Sequence, residues 1–397
     1  MGRGNLRVPG FLVSTASADV RGKGDGRLDM GLIFCEKVAS AAGTFTRNRM
    51  AAAPVVLTSE RVGSGTARAV LVNSGNANCM TGRQGMADAV ALCRALADHL
   101  GVADEMVLNC STGVVGERLP ADRMTAALRT LSDDLSPDGL EEFARAIMTT
   151  DTYPKSTSVE VALSTGSIRL AGVAKGAGMI APDMATMLAF ILTDADIPAP
   201  LMTEMLSEAV DVTFNAVTVD GDTSTNDTVL FLASGVGPGP ENDTDGEAIR
   251  DGLREVCRAL AEMIVSDGEG TKKVVEIRVT GAADHGEARR TAKSIGQSLL
   301  VKTALAAADP NWGRIAVAVG YAGARTSPEE FSLRIGDVTV IENGNPAENY
   351  REELAAGVMA GDRYTITVAI GKGPGEACVL TTDLTEEYVR INSEYRS

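Results

Sequence analysis

The chain has 397 residues, 44% of them hydrophobic and 23% charged, with a formal net charge of −16. Such a composition suits a globular protein of two or three domains or one large composite core. The acidic balance, with no run of Lys or Arg, argues against nucleic acid or an anionic membrane surface as partner. No apolar stretch reaches the roughly 20 residues needed to cross a bilayer.

The first twenty residues contain no long apolar segment, so no signal peptide is expected. The six cysteines, Cys35, Cys79, Cys93, Cys110, Cys257 and Cys378, are scattered without a C-x-x-C pair. That spacing suits neither zinc nor a disulfide framework, and no metal site is expected. A reduced, cytoplasmic enzyme is the expectation, with each cysteine a small buried apolar residue. Forty-two glycines against 4% aromatics favour close backbone packing and tight turns.

In chain order, "GTFTRNRMAAAPVVLTSERV" reads as a strand, a loop and a second strand. An apolar strand from Ala69 to Val72 meets a loop rich in Asn and Gly. A helix with Val90, Leu92, Leu96 and Leu100 follows. "MVLNCSTGVVGERLP" repeats the pattern, with a Pro that can open a helix. Alternation at Val159, Val161 and Leu163, a turn near Thr165-Gly166, and Ile168 with Leu170 predict a hairpin. A strand beginning at Thr186 comes next.

"PLMTEMLSEAVDVTFNAV" and "GEAIRDGLREVCRALAEMIVSDGEG" predict helices. "KKVVEIRVTGA" predicts a strand, "GEARRTAKSIGQSLLVKTAL" a helix, and "GRIAVAVGYAG" another strand. The tail "EEYVRINSEYRS" predicts a short strand and a loose polar end. The sum is α/β or α+β with large sheets, with a boundary near "TGAADHGEA".

Few residues can carry nucleophilic chemistry. The two histidines are His99, on an amphipathic helix, and His285, in a loop flanked by Gly and Asp; neither adjoins a nucleophile in sequence. There is no G-x-S-x-G, H-E-x-x-H or Walker A motif. The stretch from Asp220 has the alternation of a calcium loop. Its sixth position is Thr225 and its twelfth Phe231, where Gly and Glu are required, so a loop tied by Asx and Ser/Thr side chains is expected. "KGAG" precedes a strand and lacks a phosphate-loop context.

A threonine that becomes N-terminal needs no histidine, because its own α-amine serves as base. That amine has a pKa near 7.7–8.0, against roughly 10.4 for lysine, so a useful fraction is neutral at cellular pH. In "KGAGMIAPDMATMLAF", Lys175 to Phe190, the pair Ala185-Thr186 joins a glycine/proline loop to an apolar run. The Thr186 hydroxyl could attack the preceding carbonyl and shift the acyl group from nitrogen to oxygen. Water would open the resulting ester. A small Ala185 leaves room for the attack, and the loop could strain the scissile bond. Without further context, an isolated threonine such as Thr186 is usually just a β-branched residue starting a strand.

This segment closely resembles the self-cleavage segment of the ornithine acetyltransferase family, also called glutamate N-acetyltransferase, of arginine biosynthesis. "NSGNANCMTG", "CSTGVVG", "IMTTDT", "TFNAVTVDGDTSTNDT", "SDGEGTKK", "DPNWGR" and "YVRINSEYRS" resemble further family segments in the expected order. Together they cover nearly the whole chain. Asp183 stands where Asn is more usual, placing a charge beside the cleavage site.

The resemblance implies an α/β (α+β) fold with a stacked-sheet αββα-type core, of the ornithine acetyltransferase or DmpA-like kind, and a smaller C-terminal α/β domain at roughly 285–397. It implies self-cleavage between Ala185 and Thr186 into an α chain (1–185) and a β chain (186–397), associating as an α2β2 heterotetramer. Thr186 would take acetyl from N-acetylornithine and pass it to glutamate in a ping-pong cycle. No cofactor is implied, though acetyl-CoA serves some members as donor.

By the same resemblance, Thr112 and Gly113 form an oxyanion hole, and Thr149, Lys175, Thr186, Glu269, Asn392 and Ser397 contact substrate. Taken without it, Thr112-Gly113 is a turn, Lys175 a solvated lysine, Thr149 a helix end, Glu269 a turn residue and the tail frayed. A self-cleaving amidase or aminopeptidase with the same nucleophile is the alternative reading.

Overall fold

The computed structural model describes residues 5–180 and 187–394. Ala185, Thr186 and Ser397 lie outside the described residues. The chain divides into two compact units. The first comprises Met1–Asn215 with Asp222–Ile264 and Ser397, and the second Ala216–Gly221 with Val265–Arg396.

In the first unit the elements are β1 (Phe11–Ala16), β2 (Met30–Phe45), α1 (Ala53–Val62), β3 (Thr66–Asn73), α2 (Gly82–Leu100), β4 (Val107–Ser111), α3 (Ala121–Asp133), α4 (Leu140–Ala146), β5 (Lys155–Leu163), β6 (Gly166–Lys175), β7 (Leu188–Thr193), α5 (Ala199–Asp211), β8 (Thr228–Ala233) and α6 (Asp243–Ser266). The sheet runs β4-β3-β2-β8-β7-β6-β5, with β1 also on β2. Pairs β3–β4 and β7–β8 are parallel and the rest antiparallel.

The long β2 folds this sheet over on itself. Its first part, Met30–Phe34, pairs with β3, and its last, Ser40–Phe45, with β8. The β3 register shifts between Phe34 and Ala39. Such an irregularity bends a strand and increases its twist. Ile33 and Cys35 of β2, Val70 and Val72 of β3, and Leu108 and Cys110 of β4 therefore share one buried cluster with Val173 of β6, Phe190 of β7 and Leu230 of β8. Strands distant in the sheet order meet face to face, as in a two-layer sandwich.

The outer faces carry helices. Alternate residues Leu32, Ala69 and Leu71 pack on Leu92 and Leu96 of α2 and Leu128 of α3. On the other layer, Gly172 of β6 lies so close to α6 that a Cβ would stand 2.7 Å from Val256 Cγ1. The architecture is the expected α/β stack of helix, sheet, sheet and helix.

The second unit contains β9 (Val274–Ala282), α7 (His285–Gln297), α8 (Leu299–Ala307), α9 (Trp312–Gly320), β10 (Ser332–Ile335), β11 (Val338–Glu342), β12 (Asn345–Pro346), α10 (Glu352–Met359), β13 (Arg363–Ala369), β14 (Gly375–Thr382) and α11 (Glu386–Glu394). Its sheet order is β12-β11-β10-β13-β9-β14. Alternate residues Val275, Ile277 and Val279 of β9 and Ile366 and Val368 of β13 build the core with Ala288, Ala292 and Ile295 of α7.

Several segments depart from the sequence-based expectation. "APVVLTSERV" is helix α1, not a strand. Pro54 lies in the first turn, where its missing N–H costs nothing, and Pro54, Thr58, Val55 and Val62 bury one helical face. "GRIAVAVG" is helix α9. Ile315, Ala318 and Val319 bury at i, i+3 and i+4 while Val317 stays 61% exposed, and the Asn311 side chain caps the Arg314 N–H. In both, helical spacing overrides β-branched content. The tail to Glu394 is helix α11 rather than strand, with Arg390 bridging Glu387 and Glu394 one turn away on either side.

The predicted helix 286–305 is broken at Ser298, whose extended backbone ends α7 and whose hydroxyl caps α8. His285 opens α7 behind an Asp284 cap, rather than lying in a loop.

Candidate active site

The site begins at the ends of two strands in opposite layers. β4 ends at Ser111, and Thr112 and Gly113 follow as a turn. β6 ends at Lys175, which is buried rather than solvated, at 4% exposure. Folding of the sheet brings Lys175 Nζ to 3.1 Å from Thr112 Oγ1, 63 residues away in sequence.

The turn is held by its neighbours. Ser111 Oγ donates to Asn73 Oδ1 (2.6 Å), Asn73 Nδ2 donates to Asn76 O (2.9 Å), and Thr112 N–H donates to Asn73 O (3.0 Å). Val114 N–H donates to Gly75 O. Between them Gly113 has φ +131°, and a Cβ there would lie 2.3 Å from the Gly75 carbonyl carbon. Only glycine fits so close a backbone approach at that φ.

Lys175 adds its charge to the hydroxyl. An ammonium has donors and no acceptor, so it donates to the Thr112 oxygen and leaves the hydroxyl proton free to point elsewhere. A preorganised hydroxyl donor beside a backbone turn is the geometry that stabilises a developing oxyanion.

Asp151 balances the charge. Its Oδ1 accepts from Lys155 Nζ (2.7 Å) and from Gly176 N–H (2.6 Å), and its Oδ2 accepts from Thr149 N–H (2.9 Å). Both Asp151 and Lys155 side chains are fully buried. Burial raises the carboxyl's pKa, but the charges of Lys175 and Lys155 and these hydrogen bonds outweigh it and hold the pKa at about 2. Asp151 thus ties Thr149, Lys155 and the backbone after Lys175 into one cluster.

Leu188, the first residue of β7, pairs with Lys175 on one side and Thr228 on the other. Before it, Met187 N–H donates to Asp227 Oδ1 (3.1 Å), and Met187 O accepts from Thr228 N–H (3.1 Å). Asp227 is fully buried, and burial drives its pKa well above the ordinary carboxylate value, against the pull of the Met187 amide and Lys175. The segment before it is the expected loop of Ser/Thr and Asx bonds: Asn226 N–H donates to Ser224 Oγ, and Thr225 Oγ1 to Asn226 Oδ1.

Of the expected residues, Thr112, Gly113, Thr149 and Lys175 gather in the first unit. In the second unit Asn392 Nδ2 donates to Glu269 Oε2 at 2.7 Å, from α11 to the loop after α6. Asp151, Lys155, Asn226 and Asp227 were not singled out from sequence. Asp151, Asn226 and Asp227 lie inside segments that carried the resemblance, which was the signal available. A buried Lys155 at the start of an alternating hairpin left none.

The sequence model of the ArgJ family matches residues 12–397. The chain is 43% identical over 398 residues to the arginine biosynthesis bifunctional protein ArgJ of Symbiobacterium thermophilum, covering 99% of both. It is also 43% identical over 395 residues to the protein of the same name from Geobacter sulfurreducens, covering 99% of this chain and all of that one. The crystal structure of arginine biosynthesis bifunctional protein argJ from Bacillus halodurans matches with a TM-score of 0.50 at 40% identity, over 52% of this chain and 98% of that chain.

Proposed function

The chain belongs to the ArgJ family, and from that premise we propose that it is a glutamate N-acetyltransferase of arginine biosynthesis. It moves an acetyl group from N2-acetyl-L-ornithine to L-glutamate by way of acetyl-Thr186. The observation that carries this reading is the buried Lys175–Thr112 contact beside the Gly113 turn, with Lys175 ending β6, whose partner strand β7 begins two residues after Thr186 in the chain.

Maturation comes first. Thr186 Oγ attacks the Ala185 carbonyl, the C–N bond breaks, and water hydrolyses the ester. Residue 186 then carries a free α-amine that acts as general base. In the first half-reaction Thr186 Oγ attacks the acetyl carbonyl while the amine takes the hydroxyl proton. The Thr112 hydroxyl and Gly113 N–H donate to the oxyanion, one such donor being worth about 3 kcal/mol. The amine returns the proton to the departing nitrogen of ornithine. Glutamate reverses the sequence and leaves as N-acetylglutamate.

Lys175 orients the Thr112 hydroxyl and places positive charge near the oxyanion. Thr149, Glu269, Asn392 and Ser397 serve as substrate contacts. One site accepts two side chains of opposite charge, so mobile groups or water at the side-chain end belong to this reading. No cofactor is required, and acetyl-CoA is a candidate second donor. Cytoplasmic location and an α2β2 assembly of the two cleaved chains complete the proposal.

Purified protein is expected to run as two chains on a denaturing gel, and Thr186→Ala as one. Ornithine release from N-acetylornithine is expected to depend on glutamate. Release indifferent to glutamate would indicate a hydrolase instead.

A further inference from the structure

Three consecutive residues, Asn226, Asp227 and Thr228, bond to Met187 on one side and to the backbone of Ala77 and Ser111 on the other. Asn226 Nδ2 donates to Ala77 O (2.7 Å) and to Ser111 O (2.8 Å), the latter one residue before Thr112. Asp227 Oδ1 accepts the Met187 N–H, and the Thr228 N–H is donated to Met187 O. Met187 directly follows Thr186 in the chain. Both backbone polar groups after the nucleophile are therefore gripped by a loop whose preceding residue grips the oxyanion turn.

Asp227 is an unusual choice for this task. Its side chain is fully buried, and among the described residues its Oδ2 makes no hydrogen bond of normal geometry, although the Ser224 and Thr46 hydroxyls also favour its charged form. A buried polar atom without a partner costs stability, and such exceptions mark functional positions. An apolar residue would avoid that cost but could not accept the Met187 N–H. Burial disfavours the charged form of Asp227, against the pull of the Met187 amide and the Ser224 hydroxyl, and in either protonation state its Oδ1 is the acceptor that grips the Met187 N–H.

We propose that Asp227 is a positioning residue. It sets the register of Met187, and hence the reach of the Thr186 hydroxyl, against an oxyanion turn that Asn226 fixes from the same loop. The proposal rests on Thr186 as nucleophile. Its effect falls on both reactions of that hydroxyl, self-cleavage and acetyl transfer, and not on substrate affinity.

The test uses the full chain and compares Asp227→Ala, Asp227→Asn and Asp227→Glu with Thr186→Ala. Readouts are the cleaved fraction over time, kcat and KM for acetyl transfer by the cleaved fraction, and thermal melting. Asp227→Ala is expected to cleave at least 10-fold more slowly and to lose at least 10-fold in kcat, with KM within 2-fold. Asp227→Asn keeps an acceptor in place and is expected to stay within 3-fold of wild type. Should Asp227→Ala fail to fold, Asp227→Glu decides, since it moves the acceptor by one methylene. A 10-fold fall in kcat at constant KM is expected of it.

A folded Asp227→Ala or Asp227→Glu protein with wild-type cleavage and kcat overturns the proposal. So does a folded, inactive Asp227→Asn, which would make the charge the operative feature. Activity in Thr186→Ala overturns the nucleophile assignment, and this proposal with it. An inactive Thr186→Ala beside a fully active Asp227→Ala overturns the role of Asp227 alone.

Discussion

Lys175 Nζ and Thr112 Oγ1 stand 3.1 Å apart, both side chains buried, at the ends of strands from opposite layers of the folded sheet. The contact polarises one hydroxyl and points its proton away from the lysine. Thr112→Val keeps the shape and removes the donor. It is expected to lower kcat for acetyl transfer by about 10²–10³, or about 3 kcal/mol, with little change in KM. Steady-state kinetics with N-acetylornithine and glutamate measures it. A loss below 5-fold would remove Thr112 from the oxyanion hole.

Gly113 tests the turn itself. A methyl group there would stand 2.3 Å from the Gly75 carbonyl carbon, at a φ that L-residues rarely adopt. Gly113→Ala is expected to lose at least about 2 kcal/mol of stability from strain and to show slowed self-cleavage. Urea denaturation and a gel time course report the two effects separately.

Asp151 tests the charge balance. Asp151→Asn removes the carboxylate that pairs with Lys155 and offsets the charge of Lys175. Breaking a buried pair in this way costs about 3–5 kcal/mol, measurable by urea denaturation at neutral pH. If stability stays within 1 kcal/mol of wild type, the cluster is not an ionic one.

The same carboxyl shapes the acid limb. Its folded pKa of about 2 lies below the ordinary value of about 3.9. Between those values the unfolded chain binds more protons, so the stabilisation is complete above about pH 4 and fades as pH falls toward 2. It amounts to about 2 kcal/mol. The stability difference between wild type and Asp151→Asn is therefore expected to narrow from pH 5 to pH 2. A constant difference would contradict the low pKa.

Asp227 has the opposite sign. Its folded pKa is raised, so its contribution is complete below the ordinary carboxylate value and is lost as pH rises toward the folded value. Asp227→Asn cannot ionise. Its stability relative to wild type is expected to increase from pH 5 to pH 8, as read from melting temperatures at each pH. A constant difference over that range would show an Asp227 that is already charged in the folded protein.

Much of the site was legible locally. Alternation along Val159–Leu170 required a hairpin, and β5–β6 is one. The Ala-Thr junction could be marked because its chemistry lies within two adjacent residues, whereas Thr112-Gly113 and Glu269 read locally as plain turns and were marked only by the family resemblance. Helices α1, α9 and α11 were less legible. Val55-Val56, Val317 and Val319, and Tyr388-Val389 carry residues that favour strands in isolation. Which face each buries was settled by packing.

The sequence by itself determined the inventory: too few histidines for the usual triads, an internal threonine behind a small residue, and segments of one family along almost the entire chain. Only the tertiary structure decided that Lys175 is buried on Thr112, that Asp151 pairs with Lys155 near Lys175, and that Asn226 and Asp227 join Met187, just before β7, to Ser111 at the end of β4. Apart from the Asp151–Lys155 pair, four positions apart, the hydrogen bonds of this cluster link residues 25 to 115 positions apart. They exist because β2 bends and stacks two sheet layers, and a buried charge can persist only where that stacking supplies its partner.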